Sequence, residues 1–205
     1  MIHIQNEIQG FLNSSYFTNT NHREQNLQGR LYAYLLHLEK EGYVVEMESN
    51  IVKSNDYKKL FEDSFGNSSL LKSEVDILIY KKEGDEFVEA YAIELKWFYD
   101  PGFHYFDNYK EFVKDVAFVQ QLRSGNTRFT ETAALTFVES LNTKAQPKRR
   151  KLYNNYLKYM EYSPNHKQCS FVSDPDGMIV NPPVQFTWND IKINNITILY
   201  YLITF

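Results

Sequence analysis

The chain has 205 residues, a net charge of −4 and one cysteine, which exclude a generally basic nucleic-acid coat protein and an internal disulfide. Its hydrophobic content of 43% is enough for a substantial core, and we expect one domain over residues 1–205. The first ten residues lack the pattern of a secretory signal, and the apolar run Ile196–Phe205 is too short to cross a bilayer. These features predict a cytoplasmic protein with no membrane partner.

The first predicted core helix follows Asn21. Four leucines between positions 27 and 38 recur at helical spacing, and the pattern stops near Gly42, as at a helix C-terminus. Glu24 falls on the same stripe as Leu27 and Leu31, so we expect it to face the sheet. It also completes an Asn-x-x-Glu pattern that is typical of a capping box, in which Glu24 would bond the Asn21 backbone amide. Both roles for Glu24 stay open.

Three strands, a helix and a fourth strand are predicted next. Their ranges are Tyr43–Val52, Glu74–Tyr80 and Val88–Trp97 for the strands, Tyr109–Arg123 for the helix and Ala133–Val138 for the last strand. Together with the first helix, they give the core order α-β-β-β-α-β and an α/β fold class. The apolar C-terminal segment adds a further strand.

The second and third strands are predicted to form a hairpin that brings charged side chains together. If the turn is centred on Asp85, Asp76 pairs with Glu94, and Lys96 shares the face of Glu94 because side chains alternate along a strand. Carboxylates on opposed residues, about 5 Å apart, repel by roughly 3 kcal/mol at an effective dielectric of about 20. A divalent cation would offset this repulsion, and Lys96 would offset part of it. The alternative is a structural salt-bridge cluster, with the turn shifted so that the carboxylates never meet.

The pattern of Asp76 on one apolar strand and Glu94-x-Lys96 on the next resembles the signature of the PD-(D/E)XK nuclease superfamily. The resemblance covers about residues 21–140, with Val75 in place of the proline that names the motif. It implies the restriction-endonuclease-like fold, a mixed β-sheet flanked by helices. Residues 141–205 would form a C-terminal accessory layer with extra strands.

The same resemblance implies a metal-dependent nuclease. Asp76 and Glu94 would bind Mg²⁺, with Mn²⁺ as a substitute, and Lys96 would position the attacking water. Glu24 would reach the metal, as a glutamate on the first helix often does in this family. The expected activity is endonucleolytic hydrolysis of DNA in restriction, repair or phage defence. The sequence leaves open whether the substrate is DNA or RNA, and whether two chains pair as a homodimer.

A basic cluster in the last third of the chain is the candidate nucleic-acid contact. It consists of Lys144, Lys148, Arg149, Arg150 and Lys151. Pro147 is suited to begin a helix here, and cations at a helix N-terminus oppose the macrodipole at a cost of about 0.3–1 kcal/mol each. Stability therefore does not explain the cluster, whereas a DNA-backbone contact would. A solvated helix end is the alternative.

Two other function classes remain open. One is a nuclease-like fold that binds nucleic acid or protein without cutting, and the other is a structural α/β domain whose charged trio is a salt bridge. The sequence patterns of serine hydrolases, P-loop nucleotide-binding proteins, dinucleotide-binding proteins and zinc proteases are absent.

Overall fold

A computed structural model describes most of the chain. The described residues are 1–18, 23–50, 72–98, 105–125, 128–139, 168–173, 179–193 and 196–205. Within these ranges, no helix combines the length and the apolar character that crossing a membrane requires.

The predicted core order is present. The helices are Ile4–Leu12 (α1), Ser15–Thr18 (α2), Glu24–Leu35 (α3) and Tyr105–Gly125 (α4), with a 3₁₀ helix over Leu36–Glu41. The strands are Val44–Asn50 (β1), Glu74–Glu83 (β2), Glu86–Phe98 (β3), Phe129–Glu139 (β4), Gln168–Ser173 (β5), Ile179–Thr187 (β6), Asn189–Ile193 (β7) and Ile196–Thr204 (β8). Among the described residues, the elements from α3 to β4 follow the order α-β-β-β-α-β, whereas α1 and α2 precede the predicted core.

Six strands form one sheet in the order β1-β2-β3-β4-β8-β7, and β5 pairs with β6. The pairs β1/β2, β2/β3 and β7/β8 are antiparallel. Near the starts of β3 and β4, the Ala90 amide donates to the Arg128 carbonyl at 2.8 Å, which fits a parallel pair. Thr132 and Phe205 exchange both backbone hydrogen bonds, at 3.1 and 2.9 Å, as in an antiparallel ladder. The sheet is therefore mixed, and the predicted α/β class is confirmed.

The chain divides into two compact units. The first contains Met1–Leu95, Phe118–Ala134 and Thr204–Phe205, and the second contains Lys96–Ala117 and Leu135–Ile203. The expectation of one domain over residues 1–205 stays a prediction.

The core of the first unit covers both faces of the β2–β3 hairpin. One cluster of buried side chains joins the hairpin to the second half of α4 and to β4: Val75, Leu78, Tyr80, Phe87, Ala90, Ala92, Phe118, Leu122 and Phe129. Ile77, Ile79 and Ile93 are also fully buried, as are Leu27 and Leu31 of α3. Near-continuous apolar runs of this kind are typical of strands that are covered on both faces.

The hairpin has the predicted register but a different turn. Residues 77–81 pair with residues 93–89 as predicted. The turn consists of two residues, Gly84 and Asp85, instead of being centred on Asp85. A β-bulge after Lys81 compensates for the difference of one residue. The predicted pairing is therefore correct because two local features cancel.

The second unit is organised around aromatic side chains. Tyr201 of β8 is fully buried, and its ring centre lies 4.8 Å from that of Phe112 and 4.9 Å from that of Phe186. The Trp188 ring meets Tyr201 edge-on, at 4.7 Å and an interplanar angle of 88°. Edge-to-face and tilted pairs at these distances are favourable. The apolar C-terminal segment is therefore a buried strand, as predicted.

The hairpin turn gives the first testable prediction. Gly84 has a φ of 61°, and a Cβ at this position would have no atom within 4 Å, so only the backbone conformation penalises a side chain. Gly84→Ala should lower the free energy of unfolding by about 1–2 kcal/mol. The control is Gly29→Ala in α3, where a Cβ also meets open space and alanine should add about 0.5–1 kcal/mol. Urea unfolding checks both values, and an unchanged stability of Gly84→Ala would contradict the turn assignment.

Candidate functional site

Asp76 and Glu94 lie side by side where the β2–β3 backbone pairing gives way to side-chain contacts. The paired residues extend as far as Ile77 and Ile93, and the two acids come next along their strands. The Leu95 N–H donates to Asp76 Oδ2 at 2.7 Å. The Asp76 N–H points to Glu94 Oε1 at 3.4 Å. Each carboxylate is therefore oriented by a backbone amide of the opposite strand, and the structure brings this predicted pair together.

Glu94 is the most buried charged group at this position. It is 1% exposed, and the Lys72 ammonium donates to its Oε2 atom. The same ammonium lies 5.8 Å from the centre of the Phe118 ring. An ionised carboxylate in such surroundings requires a cation or several hydrogen bonds. Lys72 therefore neutralises the Glu94 carboxylate, a role that the sequence analysis assigned to a metal ion and in part to Lys96.

Lys72 is a site residue that the sequence analysis missed. It precedes β2 and follows a stretch without a regular apolar pattern, so no strand was predicted there. A weak signal was nevertheless present. Period-two alternation extended back from Asp76 places residue 72 on the face of Asp76.

The helix α3 contacts the acidic pair through Gln28. This side chain is 5% exposed, and its Nε2 atom donates to the Asp76 backbone carbonyl at 3.1 Å. Glu24 lies one helical turn before Gln28, and residues four apart share a helix face. Gln28 therefore faces the Asp76 end of β2, and the orientation of Glu24 toward the site stays a prediction.

The alternative role of Glu24 in a capping box does not match the start of α3. Arg23 is the N-cap residue, with an extended backbone and no side-chain cap hydrogen bond, and Glu24 is the first helical residue. A capping box needs the glutamate at the third helical position. Its predicted partner, Asn21, lies outside the described residues.

Lys96 follows Glu94 by two residues on the same strand. It is half-buried, and β3 continues to Phe98, so the alternation of side chains holds through Lys96. Glu94 and Lys96 therefore share one face of β3.

The fit of a divalent cation depends on two carboxylates. Across the described ranges, no three His, Cys, Asp or Glu side chains lie close enough together to hold a metal ion. Mg²⁺ is usually held by one or two carboxylates, with water and substrate oxygens as the other ligands. Asp76 and Glu94 fit that ligand set, and a contribution from Glu24 stays a prediction.

The predicted nucleic-acid contact lies in a part of the chain that the structure does not describe. Lys144, Lys148, Arg149, Arg150 and Lys151 all lie outside the described residues. The contact of this cluster with DNA remains an expectation from the sequence.

Comparisons of the chain with protein-family models, with curated proteins and with solved structures find no significant match. The resemblance to the PD-(D/E)XK superfamily therefore depends on Asp76, Glu94 and Lys96 and on the order of the core elements.

A second polar cluster, earlier along β3, is structural. Glu89 accepts hydrogen bonds from the hydroxyls of Tyr43, at 2.7 Å, and Tyr91. The Tyr91 hydroxyl in turn accepts the Ile2 N–H at 3.1 Å, which ties the N-terminal segment to the sheet. Burial and the Glu89 carboxylate raise the pKa of Tyr43 to about 12 and also raise the pKa of Tyr91. Both hydroxyls therefore stay protonated and donate.

Asp76 should stabilise the fold even without metal. In Asp76→Ala, the Leu95 amide loses its acceptor, and the free energy of unfolding should fall by about 1–3 kcal/mol. Asp76→Asn keeps an acceptor oxygen and should cost less. Urea unfolding in EDTA compares the variants. Equal losses in both would show that the Leu95 contact does not matter.

The Tyr43 hydroxyl predicts a pH dependence of stability. Since the pKa of Tyr43 is raised to about 12 by folding, the unfolded chain releases this proton first, from a pH of about 10. The stabilisation is complete below pH 10 and is lost as the pH rises to about 12. Tyr43→Phe should show a smaller fall than wild type in urea unfolding over this range, with exposed Tyr16→Phe as the control. Parallel profiles for wild type and Tyr43→Phe would contradict the assignment.

Proposed function

We propose that this chain is a metal-dependent nuclease that hydrolyses DNA phosphodiester bonds, with a restriction-endonuclease-like fold. The observation that carries the proposal is the adjacent pair Asp76 and Glu94, oriented by backbone amides just beyond the end of the β2–β3 backbone pairing. Carboxylates held in this way on rigid strands suit a divalent cation, because their geometry is set before the cation binds.

The chain's own residues have separate tasks in this proposal. Asp76 and Glu94 hold Mg²⁺, or Mn²⁺ in its place. When bound, the cation lowers the pKa of water and neutralises charge on the phosphate oxygens. Lys96, on the same face as Glu94, donates to the attacking water and orients it toward phosphorus. Gln28 supports Asp76 through its backbone carbonyl.

The substrate is held by local charge, since the chain as a whole carries a net charge of −4. In this proposal, the basic cluster at residues 144–151 binds the DNA backbone, and the affinity falls with increasing salt. Restriction, repair and phage defence are the biological settings in which an enzyme of this type would act.

One observation favours a second candidate, a structural α/β domain whose charged residues form a salt bridge. The Lys72–Glu94 ion pair neutralises the more buried carboxylate without a metal ion. If this ion pair is permanent, the acidic residues stabilise the fold and take no part in catalysis.

A cleavage assay separates the two candidates. Wild type should cut supercoiled plasmid or short single-stranded DNA in Mg²⁺ or Mn²⁺, and EDTA should stop the reaction. Lys96→Ala should lower the rate by about 100-fold or more, because it removes the group that orients the water. The matched control is Lys81→Ala, a lysine on β2 about 17 Å along the strand from Asp76. Cutting that persists in Lys96→Ala, or in EDTA, would contradict the mechanism.

A further inference from the structure

Lys72 and Glu94 form an ion pair inside the site that the proposed function assigns to a divalent cation. Glu94 is 1% exposed, whereas the Lys72 side chain is 25% exposed. The carboxylate is therefore fixed within the sheet, while the lysine reaches it from the solvent side. Of the two partners, Lys72 is the one that can move with little loss of packing.

A divalent cation on Glu94 and the Lys72 ammonium would occupy nearly the same place. Mg²⁺ lies about 2.1 Å from its ligand oxygens, and the ammonium already donates to Oε2. Two cations with a combined charge of +3, within about 4 Å of each other in a partly buried position, repel strongly. Mg²⁺ and the Lys72 ammonium would therefore compete for Oε2 of Glu94.

The surroundings of Lys72 allow it to withdraw. Its ammonium lies 5.8 Å from the Phe118 ring centre, a contact that is weaker than a buried ion pair. The lysine stem is flexible, and its charged end is readily hydrated. The side chain can therefore leave Glu94 for water without unfolding the strand.

We propose that Lys72 is an internal cation of this site, which occupies the metal position at Glu94 and is displaced when a divalent cation binds. This inference rests on the proposed function. Lys72 keeps the buried carboxylate neutralised without metal, and the work of displacing it lowers the affinity of the site for metal. Removal of the lysine charge should therefore strengthen metal binding, whereas a residue that helps to hold metal would have the opposite effect.

The test measures Mn²⁺ binding by the full-length chain, by calorimetry and by the metal-dependent shift in melting temperature. Lys72→Met removes the charge, preserves most of the side-chain volume and should bind Mn²⁺ roughly tenfold more tightly than wild type. Without metal, it should melt at a lower temperature than wild type, because Glu94 loses its cation, and Mn²⁺ should restore the difference.

Two further variants control for charge and position. Lys81→Met removes a lysine whose ammonium also lies over an aromatic ring, 5.4 Å from the centre of Tyr43, and it should bind Mn²⁺ like wild type. Lys72→Arg keeps the charge and should not gain affinity. If Lys72→Met does not fold, Lys72→Gln, which retains a hydrogen-bond donor to Glu94, should show the same tighter binding.

The outcomes separate this inference from the proposed function. Tighter Mn²⁺ binding in the neutral Lys72 variants, lost again on adding Glu94→Gln, supports it. If wild type binds Mn²⁺ as tightly as Lys72→Met, or more tightly, the displacement is wrong, but the proposed metal site is still supported. Absence of Mn²⁺ binding in wild type and in both neutral variants overturns the displacement and the metal site together.

Discussion

The burial of Glu94 on the apolar strand β3 is the constraint on which the rest of the site depends. A carboxylate that is 1% exposed is tolerated only where charge and hydrogen bonds replace water. Lys72 and the Asp76 amide supply them from β2 and the segment before it. The position of Asp76 follows from the same local geometry, because its carboxylate accepts a hydrogen bond from the amide of Leu95, the residue after Glu94.

The core packing of the first unit positions the acidic pair. Leu27 and Leu31 of α3 are fully buried, and Gln28 lies between them on the same stripe. The packing that buries the leucines therefore also carries the Gln28 amide to the carbonyl of Asp76. A rotation of α3 about its own axis would remove this contact. Fold and site are linked through one helix face.

The strands and their register were predictable because period-two alternation in apolar runs is a strong signal. The turn is centred between Gly84 and Asp85 instead of on Asp85, and the bulge after Lys81 cancels the resulting register shift of one residue, which no local pattern indicates. Lys72 was missed for a different reason. Its partner is distant in sequence, and it follows a stretch without periodicity. Helices α1 and α2 were not predicted either, although Ile4, Ile8 and Phe11 of α1 are fully buried.

Stability alone is a poor explanation for the charges at this site. A buried ion pair is often no more stabilising than well-packed apolar side chains of the same volume. The neighbouring residues Ala92, Ile93 and Leu95 show that this part of the sheet accommodates apolar groups readily. The Asp76 carboxylate accepts a hydrogen bond from the Leu95 amide, but an aspartate and a glutamate side by side also repel each other, and this repulsion must be offset. In the function that we propose, a divalent cation held by both carboxylates offsets this repulsion.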